Sequence, residues 1–357
     1  MGSIEERASP WRRYAGPAAL ALLVLIVAGS ALLLLADRSG RGGGEGGASA
    51  SCNGAAVLCG RRLDEVIFPG THNSFAASTQ PGWHFASQRY GIARQLDDGI
   101  RALLLDVHYG VYDPAAGRVR TDLRAEGSER NKVAQQLSPQ ALRVADRIAG
   151  GVGVGTLSGT PEPYLCHTLC ELGAEPLDRE LEVIKGFLDR HRDQVLILIV
   201  EDYVPPATIA TAFRQAGLDS YLATLDPQQP PPTLGELIAT GRRLLVLAEE
   251  KGGSPAWLMP AFALIQDTPL GATRPSQLSC KRYRGEQHSP LLLINHWIPP
   301  FPPSPSLNAG IGRAAFLRAR IERCLRARKA KGAIVAVDFY DRTSIVEVAR
   351  ELNSQSG

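Results

Sequence analysis

The stretch VLILIVEDY (Val195–Tyr203) holds six consecutive Val, Ile or Leu residues, followed at once by two acids. Strands that are buried on both faces of a parallel sheet show such continuous apolar runs, whereas a half-exposed strand alternates apolar and polar residues. The run therefore predicts a central parallel strand that ends at Glu201 and Asp202. Because neighbouring side chains on a strand point to opposite faces, only one of these acids is expected to point inward.

Similar short apolar runs recur along the chain and predict eight strands with helical segments between them. The runs are Glu65–Phe68, Arg101–Val107, Tyr164–His167, Val195–Glu201, Arg243–Ala248, Ala263–Ile265, Leu291–Asn295 and Ala333–Phe339. Eight strands alternating with helices predict an α/β fold, a (β/α)8 TIM barrel, over residues 52–357. A doubly wound open sheet is the competing arrangement, but no glycine-rich nucleotide fingerprint follows the first strand.

The N-terminal part of the chain has a different composition. A short segment, residues 1–15, precedes an uncharged apolar run at residues 16–36, GPAALALLVLIVAGSALLLLA. About 20 apolar residues are enough to cross a bilayer as a helix, and no convincing signal cleavage site follows. We therefore predict a single-pass signal anchor in the cell membrane, a Gly/Ser-rich linker at residues 37–51 and an extracytoplasmic domain. A cleaved signal, and hence a secreted protein, is the alternative.

All six cysteines follow the apolar run. An even number of cysteines in an exported domain indicates disulfides. The simplest pairing is Cys52–Cys59, Cys166–Cys170 and Cys280–Cys324, although the sequence alone leaves other pairings open. A zinc site is the weaker alternative, because no second close pair matches Cys166 and Cys170 with ligand-like spacing.

The overall composition excludes some classes of partner. With 44% hydrophobic and 21% charged residues, the chain is ordinary for a globular protein. The net charge of +3 is small, so nucleic-acid binding has no compositional support. No protein partner is evident from the sequence.

Polar side chains gather at the carboxyl ends of the predicted strands. These are His72 with Asn73, Asp106 with His108, His167, Glu201 with Asp202, Asn295 with His296, and Asp338. In a barrel these ends open onto one face, where active sites are built. Two histidines across such a mouth can perform acid/base chemistry at neutral pH, and carboxylate and amide oxygens suit Ca²⁺ or Mg²⁺. The set predicts a phosphodiesterase site.

Each of these residues also has a structural interpretation. Asn73 can cap a turn, Asp106 can pair with Arg101, and Glu201 can form an ion pair. Trp297 and Tyr340 can stack on a sugar ring or pack in the core.

Six stretches together resemble the X region of the phosphatidylinositol-specific phospholipase C superfamily, whose members are barrels. They are PGTHNS (Pro69–Ser74), GIRALLLDVH (Gly99–His108), LCHTLCELG (Leu165–Gly173), VLILIVEDY (Val195–Tyr203), NHW (Asn295–Trp297) and AVDFYD (Ala336–Asp341). The resemblance runs from Cys52 to about Val346, which is nearly all of the chain beyond the linker.

The resemblance implies roles for particular residues. His72 would be the general base on the ring hydroxyl next to the phosphate. His167 would be the general acid that protonates the diacylglycerol oxygen, so the first product would be a cyclic inositol phosphate. In calcium-dependent members the metal ligands correspond to Asn73, Asp106 and Glu201, which implies a divalent cation, Ca²⁺ in preference to Mg²⁺.

The chain departs from the family pattern at one place. Calcium-dependent members carry a further acid two residues before Asp106, where this chain has Leu104. Small metal-independent bacterial members have an arginine where Asp106 stands. The sequence therefore matches neither pattern fully.

These observations predict a membrane-anchored, extracytoplasmic phosphodiesterase that cleaves a phosphoinositide-like head group at the membrane surface. The substrate-binding residues are predicted to be Arg101, His108, Asn295, Asp338 and Tyr340. Two other interpretations remain open. One is a glycerophosphodiester or sphingomyelinase-D-like phosphodiesterase, and the other is a catalytically inactive barrel that serves as a surface binding module.

Overall fold

A computed structural model of the protein describes residues 51–121, 159–167, 169–299 and 303–355. The predicted N-terminal segment, the predicted anchor at 16–36 and all but the last residue of the linker lie outside the described residues. No helix in the described ranges is both long enough and apolar enough to cross a membrane.

The described residues form eleven strands and eight α-helices, which are numbered in chain order. The strands are β1 Ile67–Thr71, β2 Ala102–Asp113, β3 Arg118–Thr121, β4 Glu162–Leu165, β5 Glu175–Pro176, β6 Leu196–Asp202, β7 Leu244–Ala248, β8 Leu258–Pro260, β9 Ile265–Asp267, β10 Leu291–His296 and β11 Ala333–Val337. The helices are α1 Ile92–Asp97, α2 Leu177–Arg190, α3 Pro206–Gln215, α4 Leu234–Ala239, α5 Ala261–Leu264, α6 Pro305–Ile311, α7 Ala314–Arg328 and α8 Ile345–Gln355.

Eight of these strands form one parallel sheet in the order β8-β7-β6-β2-β1-β11-β10-β9. Every neighbouring pair along this order is parallel. The predicted parallel α/β architecture with eight strands is thus confirmed. Within the described part of the chain, the end strands β8 and β9 are not paired with each other, so the sheet has a seam there.

The two faces of the sheet fill two separate apolar layers. Along β6, Leu198 and Val200 belong to the layer that includes the helices, whereas Ile197 and Ile199 belong to a layer built mainly from the strands themselves. Side chains alternate along a strand, so Glu201 continues the second layer. It is therefore the acid that points inward, as expected for one of the two.

One predicted barrel strand is wrong, and β3, β5 and β8 were not predicted. A second predicted strand, Ala263–Ile265, lies mostly in α5, and only Ile265 belongs to β9. The run Tyr164–His167 contains part of β4, which pairs antiparallel with β2, with His108 opposite Tyr164. A short apolar run does not reveal the direction of its neighbour, which explains the error. The missing parallel strand is β8, Leu258–Pro260, whose three residues are too few to show a recognisable apolar run.

All three predicted disulfides are present: Cys52–Cys59, Cys166–Cys170 and Cys280–Cys324. The second joins cysteines on both sides of the predicted acid His167. The third joins the loop before β10 to α7.

Candidate active site

Three neighbouring strands end at the same level of the sheet. In the register of β1, β11 and β10, the last paired residues lie side by side, namely Thr71, Val337 and His296. Each is followed by a residue of the site, His72, Asp338 and Trp297. The pairing of apolar strands therefore brings together three side chains that are far apart in the sequence.

His72 is held by contacts on two sides. Its Nδ1 shares a hydrogen bond of 2.8 Å with Oδ1 of Asp338. Its ring lies flat on the indole of Trp297, with 4.0 Å between the ring centroids and 5° between the planes. The carboxyl of Asp338 is buried, and this burial raises its pKa despite the opposing effect of His72. The contact at Nδ1 leaves Nε2 as the nitrogen that can meet a substrate.

His167 has a similar carboxylate partner. Cys166 donates its backbone N–H to the carbonyl of Asp106, and Nδ1 of His167 shares a 2.8 Å hydrogen bond with Oδ2 of that residue. Desolvation lowers the pKa of His167, but the hydrogen bond and negative charge of Asp106 outweigh it, so the pKa is raised overall. A raised pKa favours the protonated form of the imidazole, which is the form that a general acid needs.

The two imidazoles face one another across the mouth of the sheet. Their ring centroids are 6.2 Å apart, with an angle of 79° between the planes. This spacing lets one ring reach the nucleophile and the other the leaving oxygen of a single phosphodiester.

A cavity of about 430 Å³ lies beside these rings. That volume is within the range of about 300–1,000 Å³ that is typical of small-molecule sites. Its apolar lining includes Leu104, Ile199, Leu293 and Trp297. Its polar lining residues are His72, His167, Asp106, Glu201, Glu249, Arg284 and Asn295.

Two charged lining residues were not found from the sequence. Glu249 directly follows β7, so it carries the same signal as the other strand-end acids. Arg284 lies in the loop between β9 and β10, where nothing in the sequence pattern marks it. Its guanidinium donates to Glu249 Oε2 at 2.6 Å and, from two nitrogens, to Asp267 Oδ2 at 2.9 and 2.7 Å.

The carboxylates near Asp106 have the chemistry of a site for a hard cation. Burial and the charge of Asp106 raise the pKa of Glu201, and burial and the charge of Glu201 raise the pKa of Glu249, although Arg284 opposes the latter. Among the described residues, no three His, Cys, Asp or Glu side chains already form a coordination shell. Carboxylate oxygens are ligands that hard cations accept, and Asp106 and Glu201, which are paired across neighbouring strands, are the residues here that could supply them.

The structure brings only some of the predicted ligands and binding residues together. Asp106, Glu201 and Asn295 line the cavity. Asp338 is linked to the cavity by its hydrogen bond to His72. Asn73 is buried and is not among the lining residues. Its Nδ2 donates to Ser87 at 3.4 Å, while its Oδ1 has no hydrogen-bond partner in the described ranges.

Three predicted substrate-binding residues lie elsewhere, and these predictions are corrected. Arg101 precedes β2 and so lies at the opposite end of the sheet, where it donates to Gln194 and to two backbone carbonyls. The hydroxyl of Tyr340 donates to Asp98 at 2.8 Å. His108 is buried against Tyr203, with 4.2 Å between ring centroids, and burial lowers its pKa to about 4.

Comparisons with known proteins identify the family of the chain. A family model described as PI-PLC X matches residues 135–353, a range that includes His167, Glu201 and Asp338 but begins after His72 and Asp106.

Two named relatives carry the same domain description. PI-PLC X domain-containing protein 1 of Arthroderma benhamiae is 24% identical over 329 residues, which cover 85% of this chain and 89% of that protein. PI-PLC X domain-containing protein At5g67130 of Arabidopsis thaliana is 25% identical, over 53% of this chain and 49% of that protein.

A further similar protein of A. benhamiae, an uncharacterized secreted protein, is 25% identical over 62% of this chain and 41% of its own length. Among solved structures, phosphatidylinositol-specific phospholipase C from Listeria monocytogenes aligns with 83% of this chain and 97% of its own, with a TM-score of 0.45 and 14% identity.

Proposed function

The chain belongs to the PI-PLC X domain family, and from that premise we propose that it is a phosphodiesterase that cleaves the head group of a phosphoinositide-like phospholipid. The observation that carries the proposal is the pair His72 and His167. Each imidazole has a carboxylate partner at Nδ1, and the two rings face each other across one cavity.

In the proposed reaction, Nε2 of His72 takes the proton from a head-group hydroxyl next to the phosphate. The freed oxygen attacks phosphorus, and the bond from phosphorus to the diacylglycerol oxygen breaks. His167 gives its proton to that leaving oxygen, so the products are a cyclic phosphodiester and diacylglycerol. Asp338 and Asp106 hold the two rings in the orientation that these transfers need.

Asp106 and Glu201, which line the cavity, are the proposed holders of a divalent cation. The amide oxygen of Asn73 is the third candidate ligand; it has no hydrogen-bond partner in the described ranges, although Asn73 does not line the cavity. Ca²⁺ is favoured over Mg²⁺ because it accepts irregular sets of oxygen ligands. When bound, the ion would offset negative charge on the phosphoryl oxygens. Arg284 adds a fixed positive charge to the same cavity, although two carboxylates already accept its hydrogen bonds.

The proposed location is extracytoplasmic, on a membrane anchor at residues 16–36. Three disulfides support an oxidising compartment, and the uncharged apolar run supports the anchor. A tether of this kind would keep the mouth close to a lipid substrate.

The test is the release of water-soluble phosphate by the full chain, in detergent, from a panel of phospholipid vesicles that differ in head group. We expect release from inositol lipids, and a loss of about 10²–10⁴-fold in His72→Ala and in His167→Ala with unchanged circular dichroism. Excess chelator should reduce the rate if the cation is essential. Activity that survives both histidine substitutions would refute the proposal, and an inert wild-type protein would favour the binding-module interpretation.

A further inference from the structure

We propose that Trp297 is a positioning residue for His72, and that a support of buried polar residues behind it makes it a rigid platform. The expected effect on turnover rests on the proposed function, whereas the contact between Trp297 and His72 does not depend on it. Neither the family motifs nor the hydrogen bond to Asp338 accounts for the orientation of the ring plane.

The contact between the two rings is close and flat. The centroids are 4.0 Å apart and the planes differ by 5°, while only 17% of the His72 side chain and 7% of Trp297 are exposed. The hydrogen bond to Asp338 holds one ring nitrogen in place, but it permits rotation of the imidazole about that bond. The indole face removes this freedom, so the plane of the ring, and with it the direction of Nε2, is defined.

The backbone on the N-terminal side of Trp297 is held from behind. Arg320, a fully buried residue of α7, donates to the carbonyl of Asn295 at 3.0 Å and shares a 3.0 Å contact with Nδ1 of His296. The backbone N–H of Asn295 in turn donates to Thr268 Oγ1 at 2.9 Å.

The backbone on the C-terminal side is held in the same way. Asn308, a buried residue of α6, accepts the N–H of Ile298 at 3.1 Å and donates to its carbonyl at 3.2 Å. Side chains from two helices thus fix the residues before and after Trp297. Buried hydrogen bonds of this kind are costly to break, so the backbone that carries the indole cannot shift without losing several of them.

In this arrangement Trp297 supports the proposed base, His72, rather than binding the substrate. An indole that stacks on a sugar ring must offer it an open face. Trp297 does line the cavity, but His72 covers one of its faces and only 7% of the residue is exposed. A substitution should therefore reduce the rate of the chemical step and leave substrate binding nearly unchanged.

The experiment compares Trp297→Leu and Trp297→Phe in the full chain, with Trp257→Phe as a matched control. Trp257 packs on Phe213, with 5.1 Å between centroids, and does not line the cavity. Activity is measured on inositol-lipid vesicles as kcat and KM. The order parameter of the His72 ring is measured by NMR on histidine-labelled protein, which has seven histidines to resolve.

We expect Trp297→Leu to lower kcat by about ten- to a hundredfold with KM changed less than about twofold. Trp297→Phe should retain most of kcat because it keeps a flat face, and Trp257→Phe should behave as wild type. The order parameter of His72 should fall in Trp297→Leu while that of His167 stays unchanged.

Several results would overturn the inference. A rise in KM at constant kcat would mean that Trp297 contacts the substrate. Unchanged kinetics and an unchanged order parameter would mean that the stack does not position the ring. If Trp297→Leu fails to fold, the absence of indole ring-current shifts on His72 in the wild type would refute the contact. If the wild type has no turnover, the proposed function fails. The NMR order parameter of the His72 ring then still tests whether Trp297 holds that ring.

Discussion

The two ends of the parallel sheet both carry buried polar residues, but these residues are arranged differently. At the amino ends, Asn353 of α8 accepts the N–H of Ile67 and donates to its carbonyl, both at 2.9 Å. Arg101 donates to Gln194 and to the carbonyls of Leu96 and Ile100. These groups use their hydrogen-bonding capacity within the protein.

At the carboxyl ends, the polar groups are crowded and only partly paired. His72 and His167 are each bonded at Nδ1, which leaves Nε2 as the nitrogen that another molecule could meet as far as the described residues show. Burial and neighbouring carboxyls raise the pKa values of Glu201 and Glu249. Buried carboxyls with raised pKa values repel one another. Such clusters are typical of functional sites, because a purely structural site would avoid this repulsion. Burial of polar residues alone therefore does not identify a site, whereas crowded carboxyls beside two histidines that line one cavity point to one.

The largest loss of activity is expected from Asp338→Asn, a substitution at the carboxyl ends of the strands. An amide can donate to Nδ1 and so favour the wrong tautomer of His72, which should reduce kcat by about 10²–10⁴-fold with little change in KM. Asp98→Asn at the other end is the matched control, since Asp98 accepts from Tyr340 and Arg94 away from the cavity. A control variant that lost as much activity as Asp338→Asn would break the distinction between the two ends.

The next effect should appear in stability rather than in activity. Asn353→Leu leaves the N–H and carbonyl of Ile67 buried without partners, which should lower the free energy of unfolding by about 2–4 kcal/mol. The kcat per folded molecule should stay unchanged, and the exposed neighbour Ser354→Ala should change neither quantity. Denaturant melts with turnover assays on the same samples provide the measurement. A fall in kcat without loss of stability would contradict the structural role.

The smallest effect concerns pH. Because Asp106 raises the pKa of His167 above its usual value, the acid stays protonated further up the pH scale. The kcat should therefore decline only as pH rises through a midpoint above about 6.5, the ordinary value for histidine. A pH profile of kcat on inositol-lipid vesicles measures this midpoint. A decline centred at or below the ordinary value would mean that Asp106 does not stabilise the protonated ring.

Much of the candidate site at the carboxyl ends of the strands could be predicted, because the ends of the strands are recognisable in the sequence. His72, Glu201 and Asp338 each follow or end a continuous apolar run, and parallel register brings such ends to one level. The same rule would have found Glu249, which follows LLVLA directly.

The remaining errors have physical causes that a local pattern does not contain. Arg101 lies at the start of its strand, so its proximity to Asp106 in sequence places it at the wrong end of the sheet. Arg284 reaches the mouth from a loop, and the stack of Trp297 on His72 depends on the register of three strands. The antiparallel direction of β4 is set by its partner rather than by its own residues.

The two-histidine mechanism is tested most directly by ³¹P NMR of the products that the full chain forms on phosphatidylinositol vesicles. We expect a cyclic phosphodiester to appear first, well separated from the lipid phosphorus, and to be missing with either His72→Ala or His167→Ala. A folded wild-type protein that forms no new phosphorus signal, or variants that form it as fast as the wild type, would contradict this mechanism.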